Sequence, residues 1–234
     1  MKNIVITSTH PRHKYYAGML CENINIDYII WEDKPALEGI FSDFKTKEEI
    51  KFNKYLNFKF KCPHLNLKKG EINSISTINK IKEINPDVIF VFGSSLLKPE
   101  VFNLAKEGCI NIHTSLVQYF RGVDSSFWAI HDEQPQAIGA TLHFINDTID
   151  AGDIIDQRQV NLSVKDNLDD LFLKSCKCGF DMLLDNLDNI KNKKIITKSL
   201  SKWGKLYTLK DMNDHIKQIT QDKTLNVLKK YING

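Results

Sequence analysis

The sequence predicts an α/β fold: an open, mostly parallel twisted sheet with helices on both faces. Three observations predict it. Strand-length apolar runs alternate with helical patterns in the order strand, helix, strand, helix, strand, the signature of a parallel sheet with crossover helices. The chain has 234 residues, enough for one sizeable core. Hydrophobic residues make up 42% and charged residues 26%, an ordinary balance for a soluble globular protein.

Residues 3–7 are an apolar run that ends in the polar turn Ser8-Thr9-His10-Pro11, so they read as the first strand. Pro11 suits the first turn of a helix reaching about Cys21. Residues 26–31 read as the second strand. The segment 32–70 is charged and gives no clean period, except for a helical pattern over 45–56. Residues 71–83 read as a helix, which Pro86-Asp87 stops before the apolar strand 88–92. A helix over 99–106 starts at Pro99 and ends before Gly108. Residues 109–112 form the next strand, and 140–145 and 154–160 read as two more, flanking Asp150. An amphipathic pattern over 168–187 predicts a helix. The run Lys191-Asn192-Lys193-Lys194 reads as a solvated loop, and after it the pattern weakens. The expected division is a main domain over 1–200 and a short extension over 201–234. That extension holds Trp203-Gly204-Lys205-Leu206-Tyr207 and one more helix.

Composition excludes several classes. A net charge of +3 is too small to imply a nucleic-acid surface by itself. The longest apolar runs, such as 88–92, are far short of a bilayer span. Met1-Lys2-Asn3 runs straight into a strand, unlike a signal peptide, so a cytoplasmic location without membrane insertion is expected. The cysteines Cys21, Cys62, Cys109, Cys176 and Cys178 are odd in number, which argues for free thiols. Cys176-Lys177-Cys178 is too tightly spaced for a zinc knuckle and no second pair exists, so no metal is expected.

The chemistry-bearing pattern is Asn111-Ile112-His113 followed by Ile149-Asp150-Ala151-Gly152-Asp153. An amide, an imidazole and a carboxylate are the groups needed to move an acyl group onto an amine. Side chains alternate along a strand, so Asn111 and His113 share a face and can aim at one carbonyl. Their place at the carboxyl end of a strand is where open parallel sheets bind ligands. Amide and imidazolium N–H groups are suitable donors to an oxyanion, and the imidazole can protonate a leaving nitrogen. A nearby carboxylate is expected to orient the histidine and raise its pKa, or to take the amine's proton through a water. Each piece has a bland alternative. Asn-x-His is common at strand ends, and Asp150-Ala151-Gly152-Asp153 reads equally as a tight turn with Gly152 supplying a positive φ. His143 reads as a lining residue. Arg121 suits a phosphate or an internal carboxylate equally well, and Trp128 reads as core.

Between these motifs lie Ser115-Leu116, Tyr119-Phe120-Arg121-Gly122, Trp128-Ala129-Ile130 and Gly139-Ala140-Thr141-Leu142-His143. Taken together in this order, the set resembles the Rossmann-like catalytic domain of formyltransferases that use 10-formyltetrahydrofolate. The resemblance is strong over 88–160 and looser back to Met1. It implies that Asn111, His113 and Asp150 are the catalytic triplet. It also implies that Phe92, Gly93, Ser94, Ser95, Leu96 and Leu97 hold the pterin of N10-formyltetrahydrofolate. Asn146, Asp147, Thr148 and Ile149 would close its other side. The family usually has Ser-Leu-Leu-Pro after the histidine; here Ser115-Leu116-Val117-Gln118 lacks that proline, which relaxes the loop without removing a reacting group.

Three acceptors are usual in the resembling family. The tRNA enzymes carry a substantial second domain, whereas about 34 residues follow Leu200 here. The purine-pathway enzymes carry a glycine-rich loop after the first strand, whereas this chain has Arg12, His13 and Lys14 there and no glycine. A nucleotide-linked amino sugar (dTDP-, UDP- or GDP-) remains the best reading, which implies a role in surface polysaccharide or O-antigen synthesis. Its diphosphate would meet His10, Arg12, Lys14 or Arg121, and its base an aromatic platform such as Tyr15, Tyr16, Trp203 or Tyr207. The alternatives are glycinamide ribonucleotide or methionyl-tRNA as acceptor, a formyltetrahydrofolate hydrolase, or a non-catalytic folate- or nucleotide-binding module. Apolar residues crowd the extension at Trp203, Leu206, Tyr207, Leu209, Ile216, Ile219, Leu225 and Leu228. They need a surface to cover, and a homodimer is expected.

Overall fold

A computed structural model describes residues 1–34 and 44–234. Part of the charged segment 32–70 therefore lies outside the described residues.

The chain opens with β1 (Asn3–Ser8), α1 (Pro11–Asn23) and β2 (Tyr28–Asp33). α2 (Phe44–Lys51), β3 (His64–Lys68), α3 (Ile75–Ile84) and β4 (Val88–Phe92) follow. Next come α4 (Pro99–Phe102) and β5 (Gly108–His113). β7 (Gly139–Phe144) and β8 (Ile154–Gln159) complete a seven-stranded sheet of order β3-β2-β1-β4-β5-β7-β8. Five strands are parallel, and β7 and β8 are antiparallel additions at one edge. β3 has no clear signature because only Leu67 of its five residues is buried: among the described residues it is an edge strand paired to β2 alone.

Alternate residues of the central strands feed opposite cores. Val5, Phe90, Ile110 and Leu142 pack on one face with α1 and α6 (Leu168–Lys191). Ile4, Ile6, Ile89 and Val91 pack on the other, with Ile81 of α3 and Val101 of α4. Phe180 of α6 is fully buried among Tyr15, Tyr16, Phe52 and Phe92, and burial of such a ring stabilises by roughly 1.5–3 kcal/mol. α6 starts at a reciprocal cap: Asn167 accepts from the Asp170 N–H, and Asp170 accepts from the Asn167 N–H. α4 is shorter than the expected helix over 99–106. Beyond Asn103 the Lys106 and Glu107 N–H groups donate to Pro86 and Asp87, so the chain is already turning into β5.

A smaller unit sits beside the sheet. β6 (Phe120–Gly122) pairs in parallel with β9 (Lys205–Tyr207), and α5 (Ser125–His131) packs against α7 (Asp214–Asn233). Trp128 and Tyr207 stack with centroids 3.8 Å apart, inside a third cluster that includes Phe120, Leu168 and Leu228. Among the described residues no helix is long and apolar enough to cross a membrane.

Candidate active site

β5 brings Asn111 and His113 to one place, and the loop between β7 and β8 folds Asp150 against them. Asp150 Oδ2 lies 3.3 Å from His113 Nδ1, and its Oδ1 lies 3.5 Å from Asn111 Nδ2. Oδ2 also accepts the Gly122 N–H of β6 at 2.9 Å. Asp150 sits at a φ of 48°, an uncommon conformation for a residue with a side chain and one that recurs at functional sites. The alternative reading of this segment as a tight turn places a positive φ on Gly152, which does not have one. Glycine is needed at Gly152 for another reason: an added Cβ would lie 1.7 Å from the Phe144 carbonyl oxygen.

His143 belongs to the same cluster. It faces Asn111 across the β5–β7 ladder, beside a register shift between Leu142 and His143. Its Nδ1 lies 2.8 Å from the Phe144 carbonyl, which can only accept, so Nδ1–H is the donor there. Nε2 lies 3.2 Å from Asn111 Nδ2 and 3.5 Å from Asp150 Oδ1. His143 thus meets two of the expected catalytic residues, Asn111 and Asp150.

The electrostatics differ from expectation at His113. Burial is the largest effect and pushes its pKa below the ordinary histidine value, outweighing the upward pull of Asp150. Nε2 of the ring lies 3.1 Å from the Phe120 carbonyl while Nδ1 faces Asp150, so both nitrogens face acceptors. The resting ring is neutral, and a second proton on it finds a partner already in place. Burial also works against the Asp150 carboxylate. His113, His143 and the Gly122 N–H overcome it and hold Asp150 well below the usual carboxylate range. Asp150 is therefore a fixed negative charge and a poor base.

The loop after β4 runs through Gly93, Ser94, Ser95, exposed Leu96 and buried Leu97. In the loop before Asp150, Asn146, Asp147 and Thr148 are exposed and Ile149 is half-buried. Asn146 shapes that loop, accepting the Thr148 N–H at 2.9 Å and donating to the Ala151 carbonyl at 3.0 Å.

Several expected acceptor contacts are engaged elsewhere. Arg12, expected as a free cation, is 4% exposed, and its guanidinium pairs with buried Glu48 at 2.5 Å. A buried guanidinium needs such a partner, and Glu48 had no signal in sequence. His10 and Lys14 remain half-exposed. Arg121 is engaged by backbone: Nε donates to the Gly204 carbonyl at 3.0 Å and an Nη to the Ile149 carbonyl at 2.9 Å. Tyr207 is buried on Trp128 with its hydroxyl 2.8 Å from Asp132, so it is core, not an open platform. Trp203 is half-buried.

A family model described as Formyl transferase matches residues 46–185, which include Asn111, His113 and Asp150. The methionyl-tRNA formyltransferase of Ehrlichia canis (strain Jake) is 40% identical over 114 residues, 48% of this chain and 37% of that protein. The matched segment spans less than half the length of this relative and of others like it. The fold is that of a sugar N-formyltransferase from Shewanella sp FDAARGOS_354, with a TM-score of 0.66 at 18% identity over 94% of this chain and 88% of that one. An N-formyltransferase from Helicobacter canadensis, solved with folinic acid and dTDP-3-aminofucose, gives 0.65 at 17% identity over 99% and 82% of the two chains.

Proposed function

The chain belongs to the formyl transferase family, and from that premise we propose that it moves the formyl group of N10-formyltetrahydrofolate onto the amine of a nucleotide-linked amino sugar. The observation that carries the chemistry is the convergence of Asn111, His113 and Asp150 on one point, within 3.5 Å of one another through the Asp150 carboxylate.

In this reading the amine attacks the formyl carbon and forms a tetrahedral oxyanion. Asn111, half-exposed at the site, turns an amide N–H toward that oxygen. Neutral His113 accepts the proton that the attacking nitrogen must lose. Asp150 and the Phe120 carbonyl stabilise the resulting imidazolium, which then protonates the departing folate nitrogen. The products are a formamide and tetrahydrofolate, and the proton count closes. Loops 92–97 and 146–149 are the proposed pterin walls.

The sugar acceptor is favoured by the two solved relatives named above, which align over nearly all of this chain. Methionyl-tRNA is the second reading, favoured by the Ehrlichia relative. A panel of amino-sugar nucleotides, glycinamide ribonucleotide and methionyl-tRNA, incubated with 10-formyltetrahydrofolate, separates them by release of tetrahydrofolate. Stimulation by a sugar nucleotide alone is expected, and stimulation by methionyl-tRNA alone would reject the sugar. We also propose a homodimer formed through the exposed Leu209, Ile219 and Leu225. Sedimentation as a monomer at micromolar concentration counts against it.

A further inference from the structure

Two side chains that the reaction does not use lace together the carboxyl ends of β2, β3 and β4. The Glu32 side chain, near the end of β2, is fully buried. One of its oxygens accepts the Gly70 N–H at 2.6 Å and the other accepts the Ser95 N–H at 2.6 Å. Lys34 Nζ lies 3.7 Å from the second oxygen. Asn73, in the short 3-10 turn Glu71–Asn73 after β3, makes a second clamp. Its amide donates to the Leu96 carbonyl at 2.9 Å and accepts the Lys98 N–H at 2.8 Å. The near end is fixed by Thr7, whose hydroxyl donates to the Phe92 carbonyl at 2.8 Å.

The segment 92–98 is thus held at four backbone groups by side chains from three other segments. A buried carboxylate is costly unless both oxygens are hydrogen-bonded, and apolar residues would fill the same space more cheaply. What the carboxylate supplies is geometry: charge-assisted bonds that fix where Ser95 sits. The clamps hold Leu96 outward, 66% exposed, while its neighbour Leu97 is buried. A rigid loop that presents an apolar side chain to solvent at the ligand-binding end of a parallel sheet is suited to covering a flat aromatic ring.

We propose that Glu32 and Asn73 are positioning residues for the folate. They set the shape of segment 92–98 before the cofactor arrives, so binding carries little ordering cost, and the Leu96 they present covers the pterin. The proposal rests on the reading that this loop is the pterin wall. Calorimetric titration with tetrahydrofolate tests both, using Glu32→Gln, Asn73→Ala and Leu96→Asp. Each clamp variant should raise the tetrahydrofolate Kd about tenfold, the loss expected for a charge-assisted or doubly used hydrogen bond. The acceptor KM, and kcat at saturating 10-formyltetrahydrofolate, should stay within about twofold of wild type. Hydrogen exchange at the Ser95 amide should accelerate in Glu32→Gln. If Glu32→Gln does not fold, partly exposed Asn73→Ala decides alone. Wild-type tetrahydrofolate affinity in the folded clamp variants, with binding weakened in Leu96→Asp, overturns the positioning role. Unchanged binding in Leu96→Asp overturns the pterin reading of the loop, and the proposal with it.

Discussion

His113 sits between a carboxylate 3.3 Å from one nitrogen and a carbonyl 3.1 Å from the other. Its neutral form is the one ready to take a proton, and burial keeps it neutral by lowering its pKa below the ordinary histidine value. Turnover should therefore be flat through neutral pH and fall on the acid side, below about pH 6.5, as the ring becomes charged and can no longer accept. Asp150 pulls the His113 pKa upward. Asp150→Asn removes that pull, so the acid limb should shift to lower pH while turnover drops roughly a hundredfold or more. His113→Asn should lose a similar factor in a folded protein. Steady-state pH profiles of the three proteins test this, and an acid limb unmoved in Asp150→Asn would dissociate the carboxylate from the histidine. The pair was legible in the sequence because its residues recur in a recognisable order. The sign of the shift was not, since it depends on how deeply the fold buries the ring.

At the scale of elements, local pattern revealed strands such as β4, whose five residues are all buried. It failed where a residue's role depends on a distant partner. Arg12 and Tyr207 look like ligand groups until Glu48 and Trp128 close on them. Glu32 carried no signal at all, because its partners are backbone groups 38 and 63 residues away. The β7–β8 connection differs more subtly: its alternative reading as a tight turn puts a positive φ on Gly152, whereas Asp150 carries it. The observed geometry makes a sharp prediction there. In Gly152→Ala the new methyl meets the Phe144 carbonyl oxygen, a backbone atom that cannot swing aside. The loop must move, and Asp150 rides on it. Thermal or denaturant unfolding should show a loss of about 1–3 kcal/mol. Turnover should fall by about tenfold or more as Asp150 leaves its partners. Normal turnover in a destabilised Gly152→Ala protein would mean that the loop adjusts without carrying Asp150 away.

Over the whole molecule, the segment 201–234 looks in sequence like an extension to a finished domain, yet the site is built on it. β9 pairs with β6, and β6 supplies both the Phe120 carbonyl facing His113 and the Gly122 N–H held by Asp150. Arg121, between those two residues, reaches the Gly204 carbonyl on one side and the Ile149 carbonyl beside Asp150 on the other. Behind β9, Tyr207 stacks on Trp128, and its hydroxyl and the Lys205 ammonium both meet Asp132. Farther on, Thr220 bonds the His131 ring at 2.7 Å and Lys223 donates to the His131 carbonyl, while Leu228 is fully buried against the same cluster. Tyr207→Ala removes the stacked ring and leaves a cavity, which should destabilise the protein by roughly 3–5 kcal/mol. The more telling readout is kinetic. With β9 loosened, β6 loses its outer partner, so turnover should fall at temperatures where the variant is still folded, and the His113 acid limb should move as its contacts relax. Tyr207→Phe keeps the ring and loses only the hydroxyl's bond to Asp132, so it should recover most of the turnover. A Tyr207→Ala protein that is folded, destabilised and fully active would show that β6 holds its position without β9, and that the extension adds stability alone.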